Sequence, residues 1–394
     1  MRRIVLVLVV FCVTQSGNSQ VQACGPFLGV QQNLTFRQEA AGAHIVAIVT
    51  LANPRLKGSA DSGDGTTGLR VQTILKGEKE LKGVGTIEHP RYMPIADPKN
   101  PPTYLIFCEV FREKLDTYRG VAVRKDGIID YIKGAMALDP KDSVHFLSYF
   151  FDHLNDADPA IADDALLEFA KIDYRIVPAW AKKLPAEKLA GWLKRPNLST
   201  ARVRLYAALL GDCGADRDAD LLRQLLDRAR KQEQYDAIDG LLLGYTILRP
   251  KEGWAYLRDL LAQPESPAAL RLAGIRVLRF LGGARQGLVS KEELVGGLVL
   301  LLAQGDFADI AIEQLRLWKC WEAAAEVLGC YGKKTHNIPI VRRAIIRYAL
   351  SCPDDSKTKL FLAERRKVEP EMVKDVEESI AFEKTSPTDS SPRP

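Results

Sequence analysis

The sequence predicts a multidomain α+β protein, a small N-terminal β-barrel followed by an all-α solenoid. Three observations carry this. A helical pattern recurs six times between about residues 158 and 352, as DPAIADDALLEFA from Asp158, STARVRLYAALLG from Ser199 and QYDAIDGLLLGYTIL from Gln234, then SPAALRLAGIRVLRFLG from Ser266, DFADIAIEQLRLW from Asp306 and NIPIVRRAIIRYAL from Asn337. The stretch from Cys24 to about Asp139 instead holds short β-rich runs divided by turn formers. Ahead of both lies a leader that is basic, then apolar, then polar.

In the leader, Arg2 and Arg3 form a basic n-region and Ile4 to Val13 is an unbroken apolar run. TQSGNSQ then leads to Val21-Gln22-Ala23, a small-residue cleavage pattern, with Cys24 next. This order predicts a secretory signal peptide over 1–23, cleaved between Ala23 and Cys24. The apolar run is too short to span a bilayer. The mature chain is therefore expected to be exported, whether periplasmic, in the cell envelope or secreted outside the cell. Acylation of Cys24 is the alternative outcome, with Gln22 a poor neighbour for it.

Residues 24–139 offer AHIVAIVTL from Ala43, LRVQTIL from Leu69, TIEH from Thr86, TYLIFCEV from Thr103, GVAVR from Gly120 and GIIDYI from Gly127. Gly, Pro, Asp and Ser gather between them, at 58–68, 75–77, 96–102 and 125–127. Five or six short strands in this space suit a closed or partly open barrel. The Gly/Ser/Asp loop at 58–68 has no GxxxxGK[ST] spacing, so it does not read as a phosphate cradle.

The helical part is expected over 140–382. DSVHFLSYFFDHL from Asp142 has apolar residues near helical spacing. Asp158-Pro159 supplies an N-cap and a proline at the first helical position. The six repeats register at Asp163, Arg204, Ile238, Arg271, Asp309 and Arg342, spaced 41, 34, 33, 38 and 33 residues apart. Partner helices are expected at AEKLAGWLKR from Ala186, ADLLRQLLDRARKQ from Ala219, EGWAYLRDLLAQ from Glu252 and EELVGGLVLLLAQ from Glu292. Each unit then buries its apolar face on its neighbours. Ala165, Ala208, Gly240, Ala273, Ala311 and Ala344 fall where helices would approach closely, so Leu at Ala273 or Ala344 is expected to destabilise more than Leu at Ala219. The tail 383–394, polar and proline-rich, is expected to be disordered.

Composition is that of a folded globular chain, 46% apolar and 27% charged. Residues 24–138 carry 15 basic and 12 acidic side chains and residues 139–394 carry 38 of each, so no basic domain points to nucleic acid or an anionic membrane. After the leader no segment is apolar enough for a membrane span. The sequence offers no catalytic, cofactor-binding or metal-ligating set. His145 and His153 stand two helical turns apart, too far to share one metal. The acidic run at 152–164 lacks the Gly and Glu of a calcium loop, leaving an inter-helix turn. No GxSxG, SxxK or dinucleotide fingerprint occurs. Trp180, Trp192, Trp254, Trp318 and Trp321 sit among leucines at core spacing. Cys213, Cys320, Cys330 and Cys352 admit three pairings or none, and no CxxC spacing occurs. Cys24 and Cys108 are expected to form a disulfide, holding the segment before Ala43 against the TYLIFCEV strand.

Two family resemblances add to this reading. The mature N-terminal Cys24, the strands HIVAIVTL and VQTILKG, and the YLIF-type strand are similar to the netrin-like OB module of tissue inhibitors of metalloproteinases. That resemblance implies an OB-fold and, in those inhibitors, zinc chelation by the N-terminal cysteine, here Cys24. This chain starts Cys-Gly-Pro where they start Cys-x-Cys. The helical part resembles HEAT repeats, with Val203-Arg204, Leu270-Arg271 and Val341-Arg342 matching their apolar-Arg pair; Asp163, Ile238 and Asp309 depart from it. The function expected is that of a non-enzymatic binding or scaffolding protein whose helical surface holds a protein or peptide partner, with no cofactor. A metalloprotease inhibitor acting through Cys24, or an enzyme with an unrecognised site, are the alternatives.

Overall fold

The computed structural model describes residues 33–58, 63–111, 114–124, 127–353 and 356–385. The chain enters through helix α1 (Phe36–Gly42), started by a capping box in which the Thr35 hydroxyl accepts from the Gln38 N–H and the Gln38 side chain returns to the Thr35 N–H. Five antiparallel strands follow: β1 (Ile45–Leu56), β2 (Gly65–Lys76), β3 (Thr86–His89), β4 (Thr103–Phe111) and β5 (Lys114–Ala122). Their order is β3-β2-β1-β4-β5. β2 ends at Gly77, whose positive φ of 86° only glycine adopts freely and whose Cβ would sit 2.6 Å from the His44 carbonyl oxygen.

The expected barrel does not close. β3 and β5 are the outer strands of an open sheet with no hydrogen-bond ladder between them. The physical reason lies in the residues after β3. Pro90 follows His89 directly and has no N–H to donate, and prolines recur at 94, 98, 101 and 102, so the pairing edge stops after four residues. A second correction falls on GIIDYI, which is helical. It opens α2 (Gly127–Ala137), where Ile128, Tyr131, Ile132 and Ala135 form the buried stripe at helical spacing.

Alternation along β1 and β4 divides the sheet between two cores. Val46, Ile48, Leu105 and Phe107 face the helices and join one buried cluster that continues to Tyr348. Ile45, Ala47, Val49, Leu51, Ile106 and Cys108 face the other way and meet Leu69, Leu81 and Ile87 in a smaller core. Buried packing thus runs unbroken across residue 139.

After α3 (Ser143–His153), the six repeat stretches are helices α4 (Pro159–Lys171), α7 (Thr200–Cys213), α9 (Ile238–Leu248), α11 (Ala268–Ala284), α13 (Ala308–Leu317) and α15 (Pro339–Ser351). Between them lie α5 (Val177–Ala181), α6 (Ala186–Leu193), α8 (Asp216–Lys231), α10 (Pro250–Leu261), α12 (Lys291–Leu302) and α14 (Ala324–Leu328). Two more helices, α16 (Ser356–Val368) and α17 (Pro370–Thr385), close the array, so α17 runs three residues into the segment expected to be disordered. α7 packs on α9, α9 on α11, α13 on α15 and α15 on α17. The small residues do set the closest approach: a Cβ on Gly240 would lie 3.0 Å from the Arg204 Cβ, and one on Gly244 2.8 Å from the Ala207 carbonyl carbon. Ala219 is fully buried and is no neutral control, because the start of α8 is covered; Ala344 is only half-buried because it floors a surface groove.

Candidate functional site

The arginines that mark the repeat register turn out to tie successive units together. Arg204 donates to the Asp239 carboxylate at 2.8 Å and to the Asp236 carbonyl at 2.6 Å. Arg271 donates to Ser266, to Gln304 at 2.9 Å and bidentately to Asp306. Arg342 pairs with Glu369 at 2.7 Å. Asp239 is fully buried and takes Arg276 on its second oxygen, so one carboxylate is held by two guanidiniums. Such bonds fix the register between units and leave these arginines committed to structure.

The outward side of the repeat helices is different. Between α13, α15 and α17 runs a groove of about 260 Å³. Asp309 and Glu313 come from α13, Ile340, Arg343, Ala344 and Arg347 from α15, and Asp375, Val376 and Ser379 from α17. Helical spacing explains the set, since 309 and 313, 340, 343, 344 and 347, and 375, 376 and 379 each share one helix face. Ala344 leaves the floor open, and Ile340 stands 58% exposed at the edge. The charges pair with one another: Arg343 meets Asp375 at 3.0 Å, and Arg347 lies 3.8 Å from both Glu313 and Glu383. Arg316 beneath them loses charge stability through burial, but its bonds to Glu313 and Glu383 outweigh this and hold its pKa above the usual range. The Arg343–Asp375 pair is exposed and worth only about 0.2–1 kcal/mol, so a ligand can re-partner it at little cost, whereas Arg347 is half-buried among Glu313, Glu383 and Ser379.

A second concavity, of about 560 Å³, lies between β3 and β5 on the sheet face turned away from the helices. Leu51, Leu69, Met93 and Ile106 form its apolar wall, and its polar rim carries His89, Arg91 and Arg119 against Asp116, with Tyr104, Thr117 and Tyr118 between them. His89 Nδ1 is closed off from solvent with no hydrogen-bond partner, which costs about 1–3 kcal/mol. Burial, then the Arg91 charge, lowers the His89 pKa, and Asp116 opposes them.

Sequence reasoning missed a buried polar staple that fastens α1 to α4. Asp164 accepts from the Phe36 N–H at 2.7 Å and the Tyr131 hydroxyl at 2.8 Å, and Glu168 takes Arg37 bidentately at 3.1 Å. Burial pushes the Asp164 pKa up to about 7, against the lowering effect of those two hydrogen bonds. The signal was present: Asp164 and Glu168 are four residues apart on the stripe of Ile161 and Ala165, where carboxylates need partners.

Ala23 and Cys24 lie outside the described residues. Cys108 is buried in the small sheet core, its Sγ 3.3 Å from Thr117 Oγ1, and burial raises its pKa. Among the described residues Cys108, Cys213, Cys320, Cys330 and Cys352 form no disulfide with one another, and burial pushes Cys213 up to about 12 and Cys320 to about 11. His145 is exposed; His153 packs on Tyr131 and Tyr149 and meets Asp156 at 3.3 Å. Asp158 caps α4 through the Ala160 N–H, so the acidic run is the inter-helix turn it resembled. Trp180, Trp192, Trp254 and Trp318 are core residues. Among the described residues no three His, Cys, Asp or Glu side chains are placed to hold a metal, and no helix is long and apolar enough to cross a membrane. No family model, curated protein or solved structure matches the chain.

Proposed function

We propose that this is an exported binding or scaffolding protein that holds an extended peptide segment of a partner in the groove of α13, α15 and α17. The observation that carries the reading is the groove itself, where three neighbouring helices offer charges of both signs around Ala344 and an exposed Ile340. Its chemistry favours a segment with charges of both signs and one apolar side chain. Stacked helices linked unit to unit by Arg204, Arg271 and Arg342 support the HEAT-like reading, since rigid arrays present surfaces. The sheet order β3-β2-β1-β4-β5 is that of a five-stranded barrel opened along one seam, which supports an OB-like ancestry for the first part. Peptides selected from a displayed random library against the purified chain test this. Arg343→Glu, at the exposed pair with Asp375, should abolish their binding while leaving the fold intact; selected peptides that bind the variant equally well would refute the site. Export is tested by N-terminal sequencing of the mature protein, which should begin Cys-Gly-Pro.

A further inference from the structure

We propose that the concavity between β3 and β5 is a separate binding site for a small amphipathic monocarboxylate. Its tail lies on Leu51, Leu69, Met93 and Ile106, and its carboxylate is held at Arg91 beside His89. A volume of about 560 Å³ with an apolar floor under a polar rim is that of a small-molecule site, and of the two arginines on that rim Arg119 is already paired with Glu39. The wall is built in advance. Fully buried Thr67 accepts from the Met93 N–H at 2.8 Å and donates to the Arg91 carbonyl at 2.9 Å, which fixes the segment carrying both side chains. Among the described residues Arg91 has no carboxylate within ion-pair distance, so its charge is available to a ligand anion. Asp116 on the β5 side disfavours a second negative charge and selects a monoanion over a phosphate dianion. Gly120 completes the mouth. Glycine weakens a strand and often marks close approach by a ligand. A Cβ there would meet only Tyr104 Cδ1 at 3.8 Å and Ile106 Cγ2 at 3.9 Å, both ordinary contacts, so a larger side chain fits and projects into the space.

The test titrates sodium octanoate, and 1-octanol as its neutral counterpart, into the purified chain labelled with 13C at the methionine methyls. Octanoate should shift the Met93 methyl saturably, and octanol should bind at least about tenfold more weakly. Arg91→Gln should reduce octanoate affinity by at least about tenfold and leave octanol unchanged. Gly120→Leu should remove binding of both without lowering the melting temperature. An unmoved Met93 methyl at millimolar octanoate overturns the proposal. So does a Gly120→Leu or Arg91→Gln variant that binds octanoate like the parent.

Discussion

Gly244→Ala should destabilise the protein, although alanine is the better helix former. On propensity alone the change is worth about 1 kcal/mol in favour of the variant. Helix packing opposes it more strongly. Gly244 lies where α9 crosses α7, and the new methyl would collide with the Ala207 carbonyl, 2.8 Å from its carbon and 3.1 Å from Leu222 Cδ1. Main chain of a packed helix cannot move aside as a side-chain end can. Overpacking costs about 1–3 kcal/mol, and the upper part of that range applies here. The net expectation is a loss of about 1–2 kcal/mol. Gly191→Ala in α6 and Gly296→Ala in α12 are the controls, because an added Cβ at either meets nothing within 4 Å. Each should gain about 0.5–1 kcal/mol. Urea unfolding followed by helical circular dichroism reads all three as shifts of midpoint at a common slope. If Gly244→Ala is stabilised as much as the controls, α7 and α9 do not pack as described.

Asp164→Asn should alter the pH dependence of stability. The folded pKa is raised to about 7, so the folded state binds this proton more tightly than the unfolded chain, and the group's contribution falls as pH rises from about 4 to about 7. Asparagine keeps one acceptor, for the Phe36 N–H, and offers its amide N–H to the Tyr131 hydroxyl oxygen without the charge. The stability of variant and parent, read as melting temperature, should therefore change differently with pH, the variant gaining on the parent as pH rises above 5; parallel curves would contradict this. Asp239→Ala should cost about 3–5 kcal/mol, because it strands Arg204 and Arg276 around a buried site, whereas Asp163→Ala, at an exposed pair with Arg202, should cost under about 1 kcal/mol. Equal midpoints in denaturant would dismiss the distinction. Peptide mapping of non-reduced mature protein should recover Cys24 joined to Cys108; a free thiol at either position rules the bond out.

Much of the architecture was legible because its signals are local. Each repeat stretch and partner helix carries its own 3.6-residue apolar period, and TYLIFCEV is a short continuous apolar run of the length and composition of a strand buried on both faces. GIIDYI misled because a stretch of only six residues fits either period; extended to Ala137, its stripe of Ile128, Tyr131, Ile132 and Ala135 is helical. The capping box of α1 was readable in TFRQ, but the apolar run behind it is short. Sheet closure was not legible, since it depends on whether β3 reaches β5, a long-range pairing. The groove escaped notice for a similar reason. Its residues come from α13, α15 and α17, and only the stacking brings Asp309, Arg343 and Asp375 together.

The groove's role is tested most directly by placing a photoreactive p-benzoylphenylalanine at position 340, on the exposed edge, and, in a second variant, at position 191, each mixed with a library-selected peptide. Irradiation should cross-link the peptide from position 340 and not from the exposed face of α6. Cross-linking from position 191 alone, or in equal yield from both, would contradict a peptide site between α13, α15 and α17.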